Sequence, residues 1–270
     1  MLEPIKNHPA LLHSKNKHKT LIITDLHIGW EINLIQKGIH VPSQMPKIRQ
    51  KLLQLIDSTN PDTLIILGDI KHTVAKAESG EWHDIPEFFK SIKTKINDIQ
   101  IVRGNHDGNL EPLLPPHIKL HPSTGIALNT VGLFHGHTWP SRKLLKCTTL
   151  IMGHAHPTIA FHDPLGFQIT TPAWIKVQCN NEQLKDAFLK SKHIKMRTRK
   201  SVDMKPNVQQ FLIMPCFNDF FGGRPMNKKS ERKNYVGPVL RSQAINIDKA
   251  DAYLLDWTYL GTIEQLKALV

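Results

Sequence analysis

The sequence predicts an α/β fold whose sheet is covered by helices on both faces, and two observations lead to this prediction. Short apolar runs rich in Ile, Leu and Val recur along the chain, and amphipathic stretches lie between the first of them. Strands that are apolar along their whole length are typical of sheets buried on both faces. The 270 residues are enough for a large core of this kind.

Five apolar runs predict strands, and each run leads into Asp, Asn or His. In chain order they are TLIIT (20–24), TLIIL (63–67), IQIV (99–102), VGLF (131–134) and TTLIM (148–152). Two stretches with apolar residues at helical spacing predict helices, PKIRQKLLQLID (46–57) and IPEFFKSIKTKI (85–96). Functional sites of α/β sheets form at the C-terminal ends of strands, so we expect the polar residues to share one cleft.

The rest of the chain is more polar and less regular. Residues 180–207 form its most basic stretch, which predicts either a solvated helix and loop or a patch that binds a polyanion. The cations of this stretch cluster at His193, Lys195, Arg197, Arg199 and Lys200. Residues 208–223 predict a strand followed by an aromatic loop, in which we expect Phe220 to lie in the core. Residues 235–270 predict a C-terminal hairpin, and with no evident linker we expect a single domain over residues 1–270.

The composition is that of a globular protein, with 40% hydrophobic and 21% charged residues. No apolar stretch approaches the roughly 18 residues of a membrane span. The three cysteines stand far apart, which favours reduced thiols over a disulfide framework. We therefore expect a cytoplasmic protein with no membrane association.

The net charge of +12 favours anionic partners such as nucleotides or nucleic acid. A generally basic surface with no specific partner explains this net charge equally well, so the charge alone does not decide between the two interpretations. The sixteen histidines are more informative, because several of them cluster in short motifs.

Those motifs stand at the predicted strand ends and suit a metal site. Asp25 and His27 are two residues apart, as are His154 and His156, and side chains at this spacing on an extended chain point the same way. The other strand ends carry Asp69, Asn105, His106, Asp107, His135 and His137. One such residue alone is usually a turn residue or a cap. Five motifs of this kind, one at each predicted strand end, predict a set of metal ligands. Because no cysteine stands at the spacing of a metal ligand, this set suits manganese, iron, nickel or zinc.

The ordered motifs resemble those of the calcineurin-like metallophosphoesterases. The matching segments are ITDLHIG (23–29), LGD (67–69), RGNHDG (103–108), LFHGH (133–137) and MGHAHP (152–157). Three further segments are similar to archaeal members and to the bacterial DNA ligase-associated metallophosphoesterases: KGIHVP (37–42), LGDIKH (67–72) and PCFNDFFGG (215–223). The resemblance implies a four-layer αββα sandwich with mixed sheets and a dinuclear metal site at the strand C-terminal ends, the ions about 3.5–4 Å apart.

The resemblance also implies a role for each motif residue. Asp25, His27 and His156 match ligands of the first metal. Asn105, His135 and His154 match ligands of the second, and Asp69 matches the bridging carboxylate. Mn²⁺ is the ion we expect first, with Fe, Ni or Zn as alternatives. His137 stands two residues after His135 and is the other candidate for that ligand position.

His106 matches the family's catalytic histidine, which faces the substrate and assists the leaving group. Asp107 either orients His106 or stabilises its turn. His72, His137 and Asn218 are candidate substrate contacts.

The function that we expect is hydrolysis of a phosphodiester in nucleotides or nucleic acid, by hydroxide that two metals activate. The alternatives are a phosphomonoesterase acting on a small substrate and a DNA repair or processing module whose main role is binding. A ligase or helicase partner and a homodimer also follow from the resemblance alone.

Overall fold

The computed structural model describes residues 1–74, 77–163, 165–195 and 202–268. The chain divides into two compact units. The first unit comprises Met1–Ser123 and Cys216–Gly222, and the second comprises Thr124–Pro215 and Gly223–Val270.

The first unit contains a mixed sheet with helices packed on it. Its strands are β1 (Leu2–Pro4), β2 (Leu11–Lys15), β3 (His18–Ile23), β4 (Thr63–Ile66), β5 (Asp98–Val102) and β6 (Lys119–His121). Its helices are α1 (Ile32–Ile35), α2 (Met45–Thr59) and α3 (Ser79–Lys93), followed by a short 3₁₀ helix at Glu111–Leu113. The strands lie in sequence order; β1 to β3 pair antiparallel and β3 to β6 pair parallel. The parallel strands carry their C-terminal ends, and the predicted motifs, to one edge.

Apolar residues of α2 and α3 and of the parallel strands form the core of this unit. The buried residues of α2 are Met45, Ile48, Leu52, Leu55 and Ile56, a stripe at helical spacing. This confirms the helix predicted over 46–57. Helix α3 begins at Ser79 and contains Pro86, whereas the sequence analysis placed its start at residue 85. That start was wrong because Glu78 and Glu81 form a capping box a full turn and more before the proline.

The second unit contains two sheets. Its strands are β7 (Ile126–Leu128), β8 (Val131–Phe134), β9 (Thr149–Met152), β10 (Pro157–His162), β11 (Gln168–Pro172), β12 (Trp174–Gln178), β13 (Gln210–Ile213), β14 (Arg224–Pro225), β15 (Asp251–Tyr253) and β16 (Tyr259–Thr262). Its helices are α4 (Asn181–Ser191), α5 (Pro238–Arg241) and α6 (Ile263–Lys267), with 3₁₀ helices at Leu144–Lys146, Arg232–Asn234 and Ile247–Lys249.

The larger sheet has the order β16-β15-β12-β13-β9-β8-β7, and the smaller has the order β11-β10-β14. In the larger sheet β8, β9 and β13 run parallel and the other neighbours run antiparallel. The core of this unit includes Trp174, Phe134 and Phe211, all fully buried. The predicted basic stretch begins with α4, but Arg197, Arg199 and Lys200 lie outside the described residues. The predicted hairpin corresponds to β15 and β16, which α6 follows.

The α/β fold with mixed sheets is confirmed. Among the described residues, no helix has both the length and the apolar character that crossing a membrane requires.

Candidate metal centre

In the first unit, the loops that follow β3 and β4 continue the backbone hydrogen bonding between these two strands. The backbone N–H of Asp25 donates to the carbonyl of Gly68 (3.1 Å), and that of His27 donates to the carbonyl of Asp69 (2.9 Å). Three of the four predicted ligands of this unit, Asp25, His27 and Asp69, have left-handed backbone, with φ of 56°, 44° and 52°. Such a conformation costs a non-glycine residue about 1–3 kcal/mol and clusters at functional sites.

Asp69 lies at the centre of the buried polar groups of this unit and is 1% exposed. Its Oδ1 accepts a hydrogen bond from the backbone N–H of His106 (2.9 Å). Its Oδ2 lies 3.6 Å from Nε2 of His27 and 4.0 Å from Nε2 of His106. A Cβ at Gly104 would stand 2.1 Å from Oδ1 of Asp69, so only glycine lets this loop come so close.

Asp25 is fully buried, and the hydroxyl of Thr24 donates to its Oδ2 (2.6 Å). Asn105 is half-buried in the loop after β5. Four predicted ligands belong to this unit: Asp25, His27, Asp69 and Asn105. They follow β3, β4 and β5, the parallel strands of the mixed sheet, at one edge.

His106 is oriented through its backbone and its ring. Its Nδ1 donates to the carbonyl of His72, which leaves Nε2 on the side of Asp69. His27, His72 and His106 each place a ring nitrogen within 4.8 Å of the others. Burial lowers the pKa of His72, and the neighbouring His106 lowers it further, which favours the neutral imidazole.

Asp107 is buried and ties two loops together. Its Oδ2 accepts from the backbone N–H of Asp69 (2.9 Å) and of Gly104 (2.8 Å), and its Oδ1 accepts from that of Ile70 (2.8 Å). These bonds fix the loop of Asp69 against the loop of His106. We therefore treat Asp107 as a positioning residue.

Glu81 is a site-supporting residue that the sequence analysis missed. Its Oε1 accepts from the backbone N–H groups of His72 (2.9 Å) and Thr73 (2.8 Å). Its Oε2 accepts from the backbone N–H of Glu78 (3.0 Å) and from the hydroxyl of Thr73. The side chain is fully buried and holds the loop in which the carbonyl of His72 accepts the hydrogen bond from Nδ1 of His106. The capping pattern at 78–81 was the available signal.

Lys71 was missed as well, although it is fully buried in the same loop. Its ammonium donates to the carbonyls of Thr73 and Val74. Burial lowers the pKa of Lys71, and the carboxylates of Glu81, Asp107 and Asp69 oppose that shift.

The aromatic loop of residues 216–222 packs on the same histidines. Phe221 stacks on His27 with ring centroids 4.1 Å apart, a contact that the sequence did not indicate. Asn218 is buried; its Nδ2 donates to the carbonyl of Leu26 (2.9 Å) and its Oδ1 accepts from the N–H of Phe220 (3.0 Å). The core placement of Phe220 was wrong, since 46% of it is exposed and the Lys47 ammonium lies over its ring, whereas Phe217 is fully buried.

The second unit gathers the remaining predicted histidines at the ends of β8 and β9. The rings of His135 and His154 have centroids 4.9 Å apart, and those of His135 and His137 are 5.2 Å apart. His135 is fully buried and His137 is half-buried. His154 and His156 have left-handed backbone, with φ of 63° and 41°. A Cβ at Gly237 would stand 2.4 Å from the carbonyl oxygen of Gly136, so a glycine is needed where this loop passes.

The available donors fit divalent ions that prefer nitrogen and oxygen. The cysteines do not offer thiolates, because burial raises the pKa of Cys147 and Cys216 and raises that of Cys179 to about 12. Buried imidazoles and carboxylates on strained backbone remain. This donor set suits manganese, iron, nickel or zinc.

Comparison with known proteins agrees with the fold. The family model described as calcineurin-like phosphoesterase matches residues 18–196. The crystal structure of the Pseudomonas putida nuclease MPE matches with a TM-score of 0.52 and 18% identity, over 96% of this chain and 100% of that chain. YfcE, a phosphoesterase from E. coli, matches with a TM-score of 0.34 and 22% identity, over 53% of this chain and 73% of that chain. No curated protein matches the chain.

Proposed function

The chain belongs to the calcineurin-like phosphoesterase family, and we propose that it is a phosphodiesterase that hydrolyses nucleotides or nucleic acid with two divalent ions. The observation that carries the proposal is the backbone of the predicted ligands. Asp25, His27, Asp69, His154 and His156 all have φ between 41° and 63°. Left-handed non-glycine residues are found in turns throughout this chain, but they also cluster at functional sites, and these five are all predicted metal ligands.

The proposed ligands follow the family pattern. In that pattern Asp25, His27 and His156 would hold one ion, Asn105, His135 and His154 would hold the other, and Asp69 would be shared by both. Full burial of His135 supports its choice over the half-buried His137. When bound, the two ions supply Lewis acidity that generates hydroxide near neutral pH and stabilises the charge of the phosphoryl group. Mn²⁺ is our first choice of ion.

His106 is the proposed catalytic residue of the chain. Its Nδ1 proton is held by the carbonyl of His72, so Nε2 is the nitrogen that can exchange a proton with the leaving group. Its side chain is 21% exposed, which leaves it accessible to a substrate. His72 stacks near it, with ring centroids 5.6 Å apart, and is the second substrate contact that we propose in this unit. His137 stays a candidate contact in the other unit.

The preference for a diester of nucleic-acid type rests on charge. The net charge of +12 favours a polyanionic substrate over a small phosphomonoester, which carries at most two negative charges. The Pseudomonas putida protein of the same fold is a nuclease, which is compatible with this preference. We also propose that the chain is one of the ligase-associated members and has a role in DNA repair. The same proposal includes a ligase or helicase partner, a homodimer and a cytoplasmic location.

The test is hydrolysis of bis-p-nitrophenyl phosphate with Mn²⁺, beside the monoester p-nitrophenyl phosphate. We expect faster cleavage of the diester and a loss of at least about 100-fold in Asp69→Ala, because a shared ligand is removed. Asp57→Ala is the matched control, since Asp57 is exposed on α2 of the same unit. Faster cleavage of the monoester would show that the chain is a phosphomonoesterase and not a phosphodiesterase. No cleavage of either ester with metal bound would favour a binding module.

A further inference from the structure

A basic cleft lies in the second unit, outside the histidine cluster. It has a volume of about 570 Å³, and its cations are Arg142, Lys143, Lys146 and Lys205. We call it the basic cleft. One carboxylate, that of Asp203, lies on its wall.

Local structure holds these four cations together. Leu144 and Leu145 of the 3₁₀ helix are buried in the core, which turns the lysines on either side of them outward. Lys143 and Lys146 are three residues apart, and side chains at this spacing in a 3₁₀ helix eclipse each other.

A second segment closes the cleft. The backbone N–H of Asn207 donates to the carbonyl of Leu145 (2.8 Å), which brings Lys205 alongside the 3₁₀ helix. The guanidinium of Arg142 donates to the carbonyl of Asp203 and is fixed by that bond. The cluster is therefore part of the fold and not a chance meeting of long side chains.

The charges of the cleft are not balanced by the described part of the chain. There, none of the four cations comes within 4.0 Å of a carboxylate, and all four are exposed. Elsewhere exposed lysines do pair: Lys95 lies 2.9 Å from Asp57, and Lys119 lies 2.9 Å from Asp98. Four like charges held together repel one another, and a row of phosphates relieves that repulsion.

The basic cleft follows directly after one of the histidine motifs. Arg142 stands five positions after His137, so the Cα atoms of the two residues are at most about 18 Å apart. Ordered chain connects them: Trp139 packs edge-on against Phe188, and the N–H of Ser141 donates to the carbonyl of Thr124 (2.8 Å). Successive phosphates on one strand of a duplex are about 3.4 Å apart along the helix axis, so a few nucleotides cover this distance. One strand can therefore reach both places.

We propose that the basic cleft binds the phosphate backbone of a nucleic acid a few nucleotides away from the bond that is cleaved. The inference rests on the proposed function and selects a polymer over a mononucleotide as its substrate. The contact is to phosphates and carries no base specificity.

The experiment measures binding of a labelled oligothymidylate of about 20 nucleotides, longer than the site of a single-strand binding fold. Fluorescence anisotropy follows binding in EDTA between about 50 and 200 mM salt. The cleft variant carries Arg142→Gln, Lys143→Gln, Lys146→Gln and Lys205→Gln. The control carries Lys6→Gln, Lys17→Gln, Lys37→Gln and Lys229→Gln, four exposed lysines that lie outside the cleft and form none of the ion pairs of the described residues.

We expect the cleft variant to lose at least about 10-fold in affinity and to have a salt slope smaller by up to about 3, the value for four phosphate contacts of a single strand. The control loses the same charge and keeps nearly the whole slope. Bis-p-nitrophenyl phosphate is too small to span the distance to the cleft, so its hydrolysis reports whether the variant is correctly folded.

Equal losses in the cleft variant and the control would overturn the proposal, because bulk charge would then explain binding. So would binding to vesicles of anionic lipid in place of the oligonucleotide. A duplex of the same length, run in parallel, shows which form of nucleic acid the cleft prefers. If the fourfold variant does not fold, Lys143→Glu and Lys146→Glu are measured singly, and an unchanged affinity in both overturns the proposal.

The two proposals fail separately. Suppose that the protein hydrolyses bis-p-nitrophenyl phosphate but binds neither the single strand nor the duplex at low salt. The proposed role of the basic cleft would then be wrong, and the proposed phosphoesterase activity would stand. Binding without hydrolysis would remove the proposed activity and keep a nucleic-acid site.

Discussion

At the scale of the residue, backbone conformation and side-chain chemistry coincide in this chain. Asp25, His27 and Asp69 have left-handed φ angles and are nearly inaccessible to solvent. A glycine would relieve the strain at each position but would remove a donor group. The sequence predicted which residue types would meet, because the motif spacing is visible in it. It could not predict the strain, because left-handed φ at a non-glycine residue follows from the tertiary contacts around it.

Replacement of His106 by alanine separates catalysis from metal binding. We expect His106→Ala to bind metal as the wild type does and to lose about 100-fold or more in kcat, because general acid catalysis contributes on that order. Metal analysis and diester kinetics on the same sample measure both. His83→Ala, at an exposed position on α3, is the control. Loss of metal along with activity would make His106 a ligand.

At the scale of the element, the loops after the strands decide where the site residues stand. The strands and α2 were predictable, since continuous apolar runs and helical spacing are properties of short segments. The roles of Glu81 and Phe221 were not, because Glu81 acts on a loop before its own helix and Phe221 returns from far along the chain. Contacts of this kind depend on tertiary structure, and a capping pattern does not say what else its carboxylate will bind.

Glu81→Gln tests the loop that orients His106. The amide keeps the size of the carboxylate but replaces one acceptor oxygen with a donor that faces N–H groups. We expect the free energy of unfolding to fall by about 1.5–3 kcal/mol, the contribution of a buried hydrogen bond to a charged group. We also expect kcat for the diester to fall with metal content unchanged, because His106 loses its fixed orientation.

The control for this variant is Glu87→Gln on the same helix, whose side chain is 44% exposed. Urea unfolding and diester kinetics are measured on both variants. Equal stability and equal activity of Glu81→Gln and wild type would show that the loop does not depend on this carboxylate.

At the scale of the whole molecule, surface lysines are paired with carboxylates in some places and not in others. The first unit pairs several of its surface lysines, whereas the basic cleft of the second unit leaves its cations without carboxylates among the described residues. Net charge was readable from the sequence, but its local concentration was not, because Lys205 reaches Lys143 and Lys146 only through the fold. The part of the basic stretch at 196–201 lies outside the described residues.

The thiols report on the integrity of the folded chain. Burial raises the pKa of Cys216 well above its ordinary value and raises that of Cys179 to about 12, so neither is a thiolate near neutral pH. We expect all three cysteines to react with a thiol reagent at least about 100-fold faster in denaturant than in the native protein. Rapid labelling of native Cys216 would contradict its burial beside the backbone of Asp25.

The proposed site holds two metal ions, and the number of ions bound per chain is the quantity to measure first. The protein is stripped with a chelator, dialysed against Mn²⁺ and analysed for metal, with Asp69→Ala and the exposed-site variant Asp57→Ala measured in parallel. We predict two ions per chain in the wild type and in Asp57→Ala, and fewer than two in Asp69→Ala, because the bridging ligand is lost. One ion or none in the wild type, or two in Asp69→Ala, would contradict the account.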